Sequence, residues 1–173
     1  RPPAVKPPVP SVQADRTGDA TLVDALRDEL RRRLQKPGNV FLTPVHRLDR
    51  PVSGVLLLAR TSKAAARLAA QFRAGTVQKT YLALVEGAPE VAAGTLEDLL
   101  VKDPATNRVR VARAGEPGAR VARLGYRVVG RHAAGTLLEV RLETGRSHQI
   151  RVQLASRGSP IVGDLRYGSQ RAL

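Results

Sequence analysis

The runs "ARVARLGYRVVGRH" (119–132) and "GTLLEVRLETG" (135–145) decide the fold class. Each reads as a strand, and only two residues separate them. "RVRVA" (108–112) is a third strand, and Gly, Pro, Asn and Asp turns link the group. Upstream, "TVQKTYLALVEG" (76–87) is rich in β-branched and apolar residues. Its Val77, Lys79, Tyr81, Ala83 and Val85 share one face. "GVLLLAR" (54–60) is too short for an ordinary globular helix and reads as a buried strand.

Helices interrupt these strands. In "DATLVDALRDELRRRLQKPGN" (19–39), Leu22, Leu26, Leu30 and Leu34 recur every four residues. Thr21 is the candidate N-cap, with Asp24 three places on, and Pro37-Gly38 is the expected stop. "TSKAAARLAAQFRAG" (61–75) is a second helix, capped by Thr61 or Ser62 and stopped at Gly75. "RSHQIRVQLASRG" (146–158) is a third, with Ile150 and Leu154 on one face and Ser147 and Arg151 on a neighbouring one. Residues 1–20 read as extended or loop. Strands outnumber helices and several pair as hairpins. The class is α+β: a mixed, largely antiparallel central sheet with flanking helices.

The 173 residues suit one domain, and 42% are hydrophobic, enough for a core. Aromatics make up only 3%, so aliphatic side chains must do most of the packing. Lys and Arg number 29 against 15 Asp and Glu, a net charge of +14. A surplus this large in a small chain points to an anionic partner, most simply a nucleic acid. With no cysteine there is neither a disulfide framework nor a thiolate metal site. No apolar run approaches the ~20 residues of a membrane span, and "RPPAVKPPVP" (1–10) lacks the apolar core of a signal peptide. These features fit a cytoplasmic protein, expected to be a monomer. No metal or nucleotide cofactor is indicated: the histidines, His46, His132 and His148, show no ligand spacing, and no phosphate-cradling glycine loop is present.

Two constellations could carry chemistry. In "HRLDRPVSG" (46–54), Arg50-Pro51 follow Asp49, so the chain there is extended or turning. Neighbouring arginines favour an ionised carboxylate. Spacing alone leaves two readings open, a structural ion pair or turn cap, and an acid held for catalysis. In "TGRSHQIRVQL" (144–154), Arg146 and Arg151 flank His148 and Gln149 around a helix start, which suits an anion site or a merely basic surface helix. Tyr81 is either a core residue or a stacking platform with a polar tip.

In this order, "VHRLDRPVSGVLLLART" (45–61), "KTYLALVEG" (79–87), "TGRSHQIRVQL" (144–154) and "GSPIVGDLRYG" (158–168) resemble the RluA-type RNA pseudouridine synthase family. "VKPPVPSVQADRTGD" (5–19) is similar to that family's opening strand and loop, including its Lys-Pro. The resemblance implies isomerisation of uridine to pseudouridine in ribosomal or transfer RNA, without cofactor or metal. It implies that Asp49 is the catalytic carboxylate and that Tyr81 packs on the target base. Arg151 would pair with the catalytic aspartate, and Arg47 would help displace or hold the flipped nucleotide. Lys79 would be an RNA contact, and Arg146 and His148 would be RNA contacts or local structural ones.

Val52 stands where the family usually has Thr, a change that keeps the β-branched shape. Family members usually continue beyond "DLRYG" through a further strand. The chain is therefore expected to be a single catalytic domain, 1–173, truncated at both ends and without an added N-terminal RNA-binding domain. The competing reading is a non-catalytic basic RNA-binding or ribosome-assembly module, which needs the +14 but not Asp49.

Overall fold

The computed structural model describes residues 4–7, 11–12, 21–35 and 38–172. The chain divides into two compact units, residues 1–77 and 78–173.

In the first unit, strand β1 (Ala4–Lys6) pairs antiparallel with β3 (Gly54–Leu56), setting Lys6 opposite Gly54. β2 (Thr43–Pro44) pairs antiparallel with β4 (Leu58–Ala59). The single buried strand expected over 54–60 is thus two short strands with different partners. It is not uniformly buried either, since Val55 is 56% exposed while Leu56 is fully buried. Period-two alternation against one covered face explains this better than an apolar run does.

Helix α1 (Leu22–Leu34) starts where expected: the Thr21 hydroxyl accepts from the Asp24 N–H at 3.1 Å and donates to the Asp24 carboxylate at 2.6 Å. It ends earlier than expected. Gln35 turns left-handed, at φ 47°, and its N–H reaches the Arg32 carbonyl. Pro37, the expected stop, lies outside the described residues, as do most of residues 1–20. Helix α2 (Ser62–Arg73) is capped by Thr61, whose hydroxyl accepts from the Ala64 N–H. Val12, Val23 and Leu56 form this unit's core cluster, with Leu22 and Leu58 packed against it.

The second unit is built on a five-stranded antiparallel sheet in the order β5-β9-β8-β6-β7. Its strands are β5 (Lys79–Val85), β6 (Ala93–Asp103), β7 (Arg108–Val111), β8 (Arg120–His132) and β9 (Gly135–Leu142). β6 carried no strand signal in the sequence. Helix α3 (Gln149–Ala155) is shorter than expected and excludes Arg146 and Ser147. Core residues alternate along the strands: Ala83 and Val85, Leu138 and Val140, and Leu124 are joined by Leu154 of α3. A second cluster, Leu100, Val109, Ala122 and Val152, takes in Tyr167. The register places Tyr81 opposite Val140, so Tyr81 stands on the core-facing side of an edge strand and is half-buried.

Candidate active site

Asp49 sits in a turn fastened from several sides. The Val45 N–H donates to the Leu57 carbonyl at 3.3 Å, and His46 Nε2 accepts from the Leu57 N–H at 3.0 Å. The His46 ring stacks on Phe72 of α2 with centroids 5.0 Å apart. Burial pushes the His46 imidazole below its ordinary pKa. It is therefore neutral near pH 7, and an unprotonated Nε2 is what accepting from Leu57 requires. Leu48 is buried, and the Asp49 carbonyl accepts from the Val52 N–H at 3.0 Å, closing a turn over Arg50-Pro51.

Lys6 fills the inside of that turn. It is fully buried, and its Nζ donates to the carbonyls of Pro7 (2.9 Å), Arg50 (3.0 Å) and Val52 (2.8 Å). An ammonium has three protons, and three carbonyls take them. Burial lowers the Lys6 pKa, and the charge of Asp49 works the other way. The Asp49 side chain is half-buried, whereas Arg47 and Arg50 are exposed. The first unit thus presents a carboxylate on a rigid turn with an exposed arginine two residues before it.

In the second unit, the loop between β9 and α3 is organised by Gln149, only 2% exposed. Its Oε1 accepts from the Thr144 hydroxyl (2.8 Å) and the Arg146 N–H (2.9 Å), and its Nε2 donates to the Arg123 carbonyl at 3.0 Å. Arg146 Nε donates to the Val121 carbonyl at 2.9 Å. His148 adopts a left-handed backbone, φ 50°, which turns the loop sharply into α3, and its Nδ1 lies 2.7 Å from the Tyr167 hydroxyl. Arg146 and His148 therefore both have local partners. Lys79 is half-buried on the same strand face as Tyr81, and burial lowers its pKa.

Arg151 forms a side-on pair with Asp164: Nε to Oδ2 at 2.7 Å and Nη2 to Oδ1 at 2.8 Å. The planar guanidinium is suited to such a two-point contact. Sequence reasoning named Gln149 only as a neighbour of His148 at the helix start, and it did not single out Asp164, Tyr167 or a role for Lys6. Those three lie in stretches that carry the family resemblance, yet they bond Arg151, the Val109 N–H and the Arg50 and Val52 carbonyls, all distant in sequence.

The first unit thus carries a carboxylate on a closed turn, and the second an arginine clamped by Asp164. The pattern of the RNA pseudouridylate synthase family matches residues 5–156. The chain belongs to that family, and its relatives place it in the RluA type.

The ribosomal large subunit pseudouridine synthase D of Xanthomonas campestris is 44% identical over 154 residues, covering 87% of this chain and 43% of the relative. An RNA pseudouridine synthase of Chloroflexus aurantiacus is 46% identical over 128 residues, covering 74% of this chain and 39% of the relative. The solved structure of human RNA pseudouridylate synthase domain containing 4 superposes with a TM-score of 0.80 at 26% identity, covering 96% of this chain and 65% of that one. The chain thus spans around two fifths of the length of these two curated relatives.

Proposed function

We propose that this chain carries the catalytic residues for converting uridine to pseudouridine within RNA. The reaction breaks the N1–C1′ bond, turns the uracil and joins C5 to C1′. N1 ends protonated and the C5 proton is released. Asp49 is the catalytic carboxylate, Tyr81 the stacking ring for the uracil and Arg151 the cation that supports the carboxylate. Arg47, exposed beside Asp49, meets the RNA, as do Lys79, Arg146 and His148. Large-subunit ribosomal RNA is the substrate that the relatives' names favour, with transfer RNA second. A monomer working in the cytoplasm fits this role.

One observation carries the reading: within a chain of this family, the turn bearing Asp49 is held by a buried lysine, a neutral histidine and a closing hydrogen bond. Attack at C1′, attack at C6 and abstraction of the 2′ proton all demand an acid that is fixed and ionised. The uridine must leave its stack first, costing a few kcal/mol, and the cationic surface offsets that through the phosphates.

The test is tritium release from RNA labelled at uridine C5. Asp49→Asn should abolish release while RNA binding stays close to that of the unsubstituted chain. Release from Asp49→Asn at a normal rate would show that the chemistry lies elsewhere. Absence of release from the unsubstituted chain, with tight binding retained, would favour the RNA-binding module.

A further inference from the structure

The segment after α3 has little regular structure, yet it is firmly held. The Val162 N–H donates to the Leu84 carbonyl at 2.9 Å, and the Glu86 N–H donates to the Pro160 carbonyl at 2.8 Å. Further on, the Glu86 carboxylate accepts from the Ser169 hydroxyl and from the Gln170 and Arg171 N–H groups. Between these anchors, Asp164 opens a short 3₁₀ turn, Leu165–Tyr167. This places two side chains of one turn on one guanidinium. Asp164 takes the Nε–Nη2 edge of Arg151, and the Tyr167 ring covers its face, with the guanidinium carbon 4.7 Å from the centroid.

The far end of Tyr167 is fixed too. Its hydroxyl accepts from the Val109 N–H at 3.0 Å and meets His148 Nδ1 at 2.7 Å. The ring therefore ties three things together: strand β7, the left-handed residue that opens α3, and the arginine on the first turn of that helix. A flexible arginine side chain ordinarily pays heavily in rotamer freedom to hold one pose. Here a carboxylate fixes one edge and an aromatic ring fixes one face, so the plane and direction of the fork are set before any substrate arrives. Whatever Arg151 does in the reaction it does with the opposite side of the fork.

We propose that Tyr167, with Asp164, is a positioning residue for the isomerisation. It acts through Arg151, and this rests on the assignment of Arg151 made under Proposed function. The role is distinct from core packing because it predicts coupling between two named side chains.

The test is a double-mutant cycle in the full chain. Single-turnover pseudouridine formation at saturating RNA is measured separately from RNA binding, and rates are normalised to the folded fraction from circular dichroism. Tyr167→Leu should slow turnover about 10- to 100-fold, the scale of a small misplacement, while Kd shifts less than about 3-fold. Tyr167→Phe keeps the ring under the guanidinium and should recover most of that rate. Tyr167→Leu combined with Arg151→Lys should be no slower than Arg151→Lys alone.

Multiplying effects in the double variant would overturn the proposal. So would a Tyr167→Leu protein whose folded fraction turns over normally while Arg151→Lys is slow. A normal rate in Arg151→Lys would overturn the reading of Arg151 itself, and the positioning role with it.

Discussion

At His46, a residue that titrates near neutrality is kept out of proton chemistry by its surroundings. Its Nε2 accepts from a backbone N–H, its ring lies on Phe72, and burial lowers its pKa below the ordinary value of 6.5. The unfolded chain therefore binds a proton near pH 6.5 that the folded chain still refuses. Stability should be complete above that pH and fall as pH drops toward the lowered folded value. Thermal melts between about pH 8 and 5 should show this loss. His46→Gln should be less stable throughout but flat across that window. The same pH dependence in His46→Gln would place the titration elsewhere.

The residue scale also shows what the sequence concealed. Asp49 was visible as a candidate because Arg-Pro follows it and the family resemblance covers it. The clamp on its turn was not visible, because Lys6 reaches carbonyls 44 and 46 positions away. Asp164 was hidden in the same manner, since its partner lies 13 positions off in another element.

Among the elements, local signals worked where the determinants were local. α1 begins at the expected Thr21, and of the two caps offered for α2 the structure uses Thr61, because in each case a capping hydroxyl bonds an N–H three residues on. α3 was read too long because its apolar pattern cannot show that the Gln149 side chain folds back to bind the preceding loop. β6 was missed because "AGTLEDLLVKD" (93–103) interrupts its apolar alternation with acids. Asp98 nonetheless points inward, its side chain 8% exposed. It is satisfied by Gln153 Nε2 at 2.8 Å and by Arg157 at 2.9 Å, both from residues at or just beyond α3. A strand can carry an inward acid when a helix supplies the donors.

The hairpin between β8 and β9 has a different constraint. Gly135, at φ +151°, leaves no room for a side chain, because a Cβ there would lie 2.2 Å from the Val85 carbonyl oxygen. The atom in the way is backbone and cannot swing aside. Gly135→Ala should therefore destabilise the second unit by about 3 kcal/mol, at the upper end of ordinary overpacking. Urea unfolding would measure this, and a loss within experimental error would show that the hairpin can shift.

Across the molecule, the surplus of positive charge is not consumed internally. Arg127 and Arg141 share Glu139, and Arg123 pairs with Glu97 across the sheet. Such solvent-facing pairs contribute little to stability, and the 29 Lys and Arg still outnumber the 15 Asp and Glu. The net +14 is then available to a polyanion. The logarithm of the RNA affinity should fall linearly with the logarithm of salt concentration. An interface of roughly six phosphates would lose about a thousandfold between ~50 and ~200 mM salt. Filter binding across that range would measure the slope, and a flat profile would remove charge as the basis of binding.

The three-carbonyl grip of Lys6 has a consequence for motion. A strand as short as β1 would ordinarily fray at little cost. Here fraying would pull a buried ammonium from its acceptors and strip the turn over Arg50-Pro51 of the cation at its centre. Release of β1 and loosening of the turn are therefore coupled. The stiffness of the Asp49 turn depends in part on how firmly β1 is paired with β3.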